Sequence, residues 1–178
     1  MAIIVINRLH EEVKKEDFSC GKESIDNMVY EAYFTSLLQF SNAYKAVCDN
    51  ETVGYFMTSL GSIRLDFAPE SIAQYAGKKD TISTLYIDFI AVKKELHGCG
   101  FGKAIMKIIE KKAETLIKQY EWNVRLITFN ATKDNVDKYI SWGFQQYGKE
   151  DVYTVPMFKD LWMDQNRNCL MKYMEGMV

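Results

Sequence analysis

The chain has 178 residues, 48% of them apolar, and a formal net charge of −2. These values predict one folded domain spanning residues 1–178, and they exclude a disordered chain. A slightly acidic chain has no overall attraction to nucleic acid, so any contact with nucleic acid would need a local basic patch.

The cysteines are too widely separated, and the histidines too few, for a zinc site or a disulfide framework. The chain has four cysteines and two histidines, the cysteines being Cys20, Cys48, Cys99 and Cys169. We therefore predict no metal, and free thiols favour the reducing cytoplasm. The apolar run at residues 1–7 is too short to span a membrane and lacks the basic start of a signal peptide, so no membrane contact is predicted.

The N-terminal half alternates between strand and helix patterns. Its predicted elements are, in order, a strand at 2–8, a helix from Ile25 to about Phe40, a hairpin of strands at 44–48 and 52–60, and a connecting segment at 61–80. Ser24 and Asp26 are candidate caps for the helix, because their side-chain oxygens can accept from free backbone amides.

The C-terminal half contains the clearest helix. Its predicted elements are a strand at 83–92, a helix from Lys103 to about Gln119, a strand at 124–129, a short helix from Asp134 to Trp142, and strands near 144–155 and 167–174. One stripe of the long helix is apolar, as a helix packed on a sheet requires. The order of elements predicts an α/β fold with a mixed twisted sheet flanked by helices.

Three glycines at alternate positions follow the strand that ends at Val92: Gly98, Gly100 and Gly102. Backbone amides at a helix N-terminus bind anions well, and glycines let the main chain approach the anion closely. This segment therefore predicts a phosphate or pyrophosphate ligand. It is not a P-loop, because Lys103 is followed by Ala104 instead of Ser or Thr, and it lacks the third glycine of a dinucleotide loop.

The segment from His97 to Gly102 resembles the coenzyme-A signature of the GNAT acyltransferase superfamily, [R/Q]-x-x-G-x-[G/A] after a strand ending in Ala-Val. His97 stands where the signature has Arg or Gln. The resemblance implies a single-domain GNAT fold of about six or seven strands and about four helices, with acetyl-CoA as co-substrate. The cofactor-binding residues that it implies are Ile90, Ala91, Val92, His97, Gly98, Cys99, Gly100, Phe101, Gly102 and Lys103.

Two further residues are candidates for catalysis. Residues 135–144 resemble the superfamily segment A-x-x-[F/L]-Y-x-x-x-G-F, which implies that Tyr139 protonates the departing coenzyme-A thiolate. The alternative for Tyr139 is a buried tyrosine bonded to a neighbouring carbonyl. Asp88 is the one carboxylate within the predicted cofactor strand. It is a candidate base, directly or through a water, or a binding group for a cationic substrate; otherwise it is an acid at an exposed strand position.

Residues 17–26 resemble the opening F-x-C-G-x-x-x-L-[D/N] of one GNAT subgroup. That subgroup includes toxins of toxin–antitoxin pairs, which acetylate the amino group of aminoacyl-tRNA. The resemblance makes tRNA and an antitoxin candidate partners, while the acidic charge argues against a nucleic-acid substrate. We therefore predict an acetyl-CoA-dependent N-acetyltransferase that acts on a primary amine, small or macromolecular, by direct attack in a ternary complex. The tRNA-acetylating toxin is the narrower alternative.

Two other classes of function remain open from the sequence. A non-catalytic acyl-CoA-binding module would keep the glycine loop and not need Tyr139. A protein-interaction module would expose a large apolar surface, for which the C-terminal segment 145–178 is the candidate. Superfamily members often dimerise through this region, so a homodimer is also expected.

Overall fold

Seven strands and four α-helices make up the part of the chain that the computed structural model describes, residues 3–74 and 76–162. The strands are β1 (Ile4–Arg8), β2 (Asn42–Cys48), β3 (Glu51–Arg64), β4 (Thr81–Val92), β5 (Leu126–Thr132), β6 (Gln145–Gln146) and β7 (Thr154–Asp160). The helices are α1 (Glu23–Leu37), α2 (Glu70–Ala73), α3 (Phe101–Tyr120) and α4 (Val136–Ser141).

The strands form one mixed sheet in the order β1-β2-β3-β4-β5-β7-β6, which confirms the predicted α/β class and its strand and helix numbers. β1 to β4 pair antiparallel in chain order, whereas β4 and β5 are parallel. A parallel pair needs a crossover connection, and α3 is the helix in that connection. The C-terminal ends of β4 and β5 therefore lie at the same edge of the sheet, next to the start of α3.

Each face of the sheet buries its own apolar cluster. Phe56 points to one face, where Ile105 and Ile109 of α3 pack and expose 0% of their surface. Its neighbours in β3 point to the other face, where α1 packs, because successive strand residues alternate. Fully burying a side chain such as Ile109 is worth about 2 to 3 kcal/mol. No described helix has an apolar stretch long enough to cross the membrane.

The residue that caps α1 is not one of the two predicted from the sequence. The N-cap position is Lys22, which makes no side-chain capping bond. Asp26 instead turns back toward the preceding loop, where its carboxylate accepts from Ser19 Oγ at 2.6 Å and from Cys20 N at 2.7 Å. The predicted caps, Ser24 and Asp26, are thus wrong, and Asp26 fixes the loop that leads into α1.

The C-terminal strands also differ from the prediction. The predicted strand near 144–155 is replaced by the short β6 and by β7, which begins only at Thr154. Gly148, at φ 61°, lies in the segment that turns the chain back between them, and charged residues follow it before the apolar pattern of β7 resumes. The predicted strand at 167–174 lies outside the described residues.

Candidate coenzyme-A cleft and active site

A fork between β4 and β5 provides the site. The two strands pair over three positions, Thr84–Tyr86 opposite Leu126–Thr128, and no pairing continues beyond them. On its other side β4 stays paired with β3 as far as Val92, which faces Gly54. On the side that faces β5, residues 87–92 therefore have no strand partner. Backbone groups on such an edge are available to a ligand.

The space within the fork is a cleft of about 500 Å³. It brings together much of the predicted site, since its lining includes Asp88, Ile90, Val92, His97, Gly98, Gly100, Phe101, Gly102 and Tyr139. The side chains of Ala91, Cys99 and Lys103 are not among its lining residues. Ala91 points away, because its side chain is buried in the α1 cluster, so that only its main chain can serve a ligand.

The glycine loop has the geometry of an anion cradle. Gly98 and Gly100 have φ values of 81° and 87°, in the left-handed region that favours glycine. A Cβ at either position would meet nothing within 4 Å, so the space above the loop is open. Gly100 caps α3, and the first amides of a helix have no partner within the helix. These amides, with the positive end of the helix dipole, suit a phosphate group.

His97 has a structural role within this loop. Its Nε2 lies 3.0 Å from the carbonyl oxygen of Val92, so Nε2 carries the hydrogen and donates it. This bond ties the loop to the end of β4 across five residues. The side chain is therefore occupied with the carbonyl of Val92, so a phosphate at the loop would depend on backbone amides.

Tyr139 lies on the wall of the cleft formed by α4. Its ring makes edge contacts with Phe129 and Trp142, at centroid distances of 4.7 and 5.3 Å. Burial raises the pKa of its phenol, so the group stays protonated at neutral pH. The hydroxyl has no hydrogen-bond partner among the described residues, which disfavours the alternative of a tyrosine bonded to a neighbouring carbonyl.

Asp88 lies on the β4 edge at a bulge. Met57 opposes Phe89 and Thr58 opposes Ile87, so Asp88 is the extra residue, and a bulge re-aims a side chain in this way. Its Oδ1 accepts from Ser59 Oγ at 3.3 Å, while its Oδ2 is buried without a hydrogen-bond partner among the described residues.

Burial raises the pKa of the Asp88 carboxyl, and the nearby hydroxyls of Ser59 and Ser41 offset part of that rise. An unpaired oxygen in such surroundings is costly. It is a suitable acceptor for a proton or an ammonium group, and it is not the exposed strand acid of the alternative reading.

Several residues of the cleft were not found from the sequence. Lys22, Asn130, Thr132, Asn135 and Lys138 all line it. Asn130 Nδ2 lies 3.3 Å from the hydroxyl of Tyr86, across the fork. Asn135 and Lys138 carry a sequence signal, since they occupy the Ala position and the Phe or Leu position of the Tyr139 segment. The others belong to the site because of how distant strands and loops meet.

No protein-family model matches the chain, and no curated protein matches it in sequence. Solved structures do match its fold. One is a bacterial toxin with a TM-score of 0.78 at 14% identity, covering 96% of this chain and 97% of the toxin. AtaT complexed with acetyl-methionyl-tRNAfMet has a TM-score of 0.73 at 14% identity, covering 95% of this chain and 99% of AtaT.

A third structure is a tyrosine-to-phenylalanine mutant of the AtaT toxin, bound to acetyl-CoA and to the C-terminus of the antitoxin AtaR. Its TM-score is 0.66 at 15% identity, covering 89% of this chain and 94% of the toxin. Identities of this size establish a shared fold. The chain therefore has the GNAT fold that its glycine loop predicts, and shares it with the AtaT toxin.

Proposed function

We propose that the protein is an acetyl-CoA-dependent N-acetyltransferase that moves an acetyl group to a primary amine by direct attack in a ternary complex. The observation that carries this proposal is the fork: a free strand edge, a glycine loop and Tyr139 meet in one cleft. The free edge suits the amide-bearing pantetheine arm, and the loop amides suit the pyrophosphate. The AtaT mutant of the same fold was solved with acetyl-CoA.

The side chains of the cleft match the two proton transfers that the reaction needs. The amine nitrogen bonds to the thioester carbonyl carbon and the carbon–sulfur bond breaks. Asp88 takes the proton that the amine releases, directly or through a water. Tyr139 gives its phenolic proton to the departing thiolate, and solvent restores both groups. The pKa shifts fit these roles, since a raised carboxyl pKa makes Asp88 a better base and a raised phenol pKa keeps Tyr139 protonated.

The first experiment is a calorimetric titration of acetyl-CoA, CoA and ATP into the purified protein. Binding of acetyl-CoA and CoA without binding of ATP supports the cleft assignment. Absence of coenzyme-A binding would leave a protein-interaction module as the better function. Acetyl transfer by the wild type that falls in Tyr139→Phe indicates an enzyme, whereas coenzyme-A binding that Tyr139→Phe leaves unchanged, without a Tyr139-dependent turnover, indicates a non-catalytic acyl-CoA-binding module. Tyr153→Phe is the matched control, since Tyr153 is 78% exposed and does not line the cleft.

A narrower candidate is a toxin that acetylates aminoacyl-tRNA and is held by an antitoxin. The observation that favours it is the shared fold with AtaT, which was solved with an acetylated aminoacyl-tRNA and, as a mutant, with the antitoxin AtaR. The test compares acetyl transfer from labelled acetyl-CoA to charged tRNA, uncharged tRNA and polyamines. Transfer to charged tRNA alone supports the toxin, whereas transfer to polyamines alone supports a small-molecule enzyme.

A further inference from the structure

Two lysines that the glycine-loop motif does not include meet at the cleft. Lys22 Nζ lies 3.4 Å from Thr132 Oγ1 at the end of β5, and Lys138 Nζ donates to Asn135 Oδ1 at 3.2 Å. Asn135 Nδ2 in turn donates to Thr132 Oγ1 at 2.9 Å. This chain of contacts links the residue that precedes α1 to α4 and brings both ammonium groups to the lining of the same cleft.

The backbone that carries each lysine is well fixed. The loop before α1 is held by the two hydrogen bonds to Asp26 and by the bond from Lys94 N to Ser19 O at 3.0 Å. That last bond joins the loop to the segment immediately after β4. Lys138 lies above the rings of Tyr139 and Trp142, 5.3 Å from each centroid. A Cβ on Gly102 of the glycine loop would lie 3.7 Å from the Trp142 ring.

The charges of the pair are not compensated within the described residues. Neither ammonium has a carboxylate oxygen within the 4.0 Å of a salt bridge there, although Asp134 also lines the cleft. Burial lowers the pKa of Lys138, and the charge of Lys22 lowers it further. Two like charges that face one cleft repel each other until an anion lies between them.

We propose that Lys22 and Lys138 form a second arm of the phosphate site, opposite the glycine loop, and bind the phosphates of acetyl-CoA from the α1 and α4 side. The proposal rests on the proposed function. The two lysines would supply positive side-chain charge to the phosphate site. His97, at the Arg or Gln position of the signature, does not supply it because its ring bonds to the carbonyl of Val92. Lysine binds phosphate as a point charge and needs no fixed fork of donors.

The test compares two ligands that differ in their phosphates. Acetyl-CoA and S-acetylpantetheine, which lacks the nucleotide and its phosphates, are titrated into the wild type, Lys22→Gln, Lys138→Gln and the double variant. Each single variant is expected to bind acetyl-CoA about three-fold to ten-fold more weakly, because exposed charge-assisted contacts are partly screened. S-acetylpantetheine is expected to bind all four proteins equally.

Lys149→Gln is the matched control, since it removes the same charge from an exposed residue outside the cleft lining. The difference between the wild type and the double variant is also expected to shrink as salt rises from about 0.02 M to about 0.5 M. Unchanged affinity for acetyl-CoA in the double variant would overturn the inference, as would an equal loss of affinity for both ligands. A wild type that does not bind acetyl-CoA would overturn the proposed function first, and this inference with it.

Discussion

Replacing Gly100 by Asp is the most direct perturbation of the proposed cofactor site. Gly100 has φ 87°, and a Cβ there would point into open space. The substitution therefore causes no clash and costs only backbone strain, about 1 kcal/mol of folding free energy. Asp tolerates this region better than most residues. We expect the melting temperature to fall by only about 2 to 4 °C for a chain of this size.

The effect on binding is expected to be far larger than the effect on folding. A carboxylate about 4 Å from a phosphate repels it by about 4 kcal/mol at the effective permittivity of a protein surface. That energy corresponds to a roughly thousand-fold loss of affinity. Calorimetric titration of acetyl-CoA into Gly100→Asp should therefore show no measurable binding in the range where the wild type saturates.

Gly148→Asp is the control that separates the effect of backbone strain and charge from the effect of position in the cofactor site. Gly148 also has a positive φ, 61°, with nothing within 4 Å of an added Cβ, but it lies between β6 and β7, away from the cleft. It adds the same charge and a similar strain, and we expect it to bind acetyl-CoA as the wild type does. Wild-type affinity in Gly100→Asp would refute the assignment of the loop. Equal loss in both variants would mean that net charge, not position, governs binding.

Four other variants test the remaining assignments. Tyr139→Phe should lower kcat about a hundred-fold with unchanged affinity for acetyl-CoA; steady-state kinetics with Tyr153→Phe as control checks this, and an unchanged kcat would remove Tyr139 from the chemistry. Asp88→Asn should lower turnover yet raise the melting temperature at pH 7, because it removes a buried charge. In the wild type, turnover should fall as pH drops through the pKa of Asp88, which is above the ordinary 3.8, because the base must be deprotonated. If the residual turnover of Asp88→Asn falls in the same pH range, Asp88 is not the group that titrates. Burial opposes ionisation of Asp26, but bonds from Ser19 and Cys20 lower its pKa below 3.8. The stabilisation that the Asp26 carboxylate provides is therefore present above pH 3.8 and is lost as pH falls through the lowered pKa. Asp26→Asn should reduce the free energy of unfolding by about 1.5 kcal/mol at pH 7. This difference from the wild type should become smaller in acid. Ile109→Ala should cost about 3 kcal/mol in denaturant unfolding; a cost under about 1 kcal/mol would contradict its place in the core.

Local patterns predicted most of the fold, because each element carries its own periodicity. The stripe on α3 and the strand that ends at Val92 depend only on neighbouring residues, and both elements appear where expected. The cap of α1 was predicted wrongly, because Asp26 is used by Ser19 and Cys20, which precede the helix. Local sequence offers Asp26 both choices, and only the packing of the loop decides between them.

The glycine loop was predictable because its chemistry needs one continuous segment. Three alternate glycines have few other physical uses, and two of them take the positive φ that glycine favours. The opposite wall of the cleft was not predictable in this way. Lys22 is more than 100 residues from Thr132 and Lys138 in sequence and reaches them only in the folded chain. A surface lysine that serves a site looks, in sequence, like any solvated lysine.

The pairing between β4 and β5 is much shorter than the pairing between β3 and β4. β3 and β4 are joined along Gly54–Arg64 opposite Thr81–Val92, whereas β4 and β5 are joined only at Thr84–Tyr86. The sheet thus has two continuously paired parts, β1–β4 and β5–β7, which share a three-position pairing and one buried core cluster under α3. A ligand that pairs with the free edge of β4 and also contacts α4 would connect the two parts of the sheet. Amide hydrogen exchange in residues 87–92 should then slow when acetyl-CoA is added, and the free energy of unfolding should rise with the acetyl-CoA concentration.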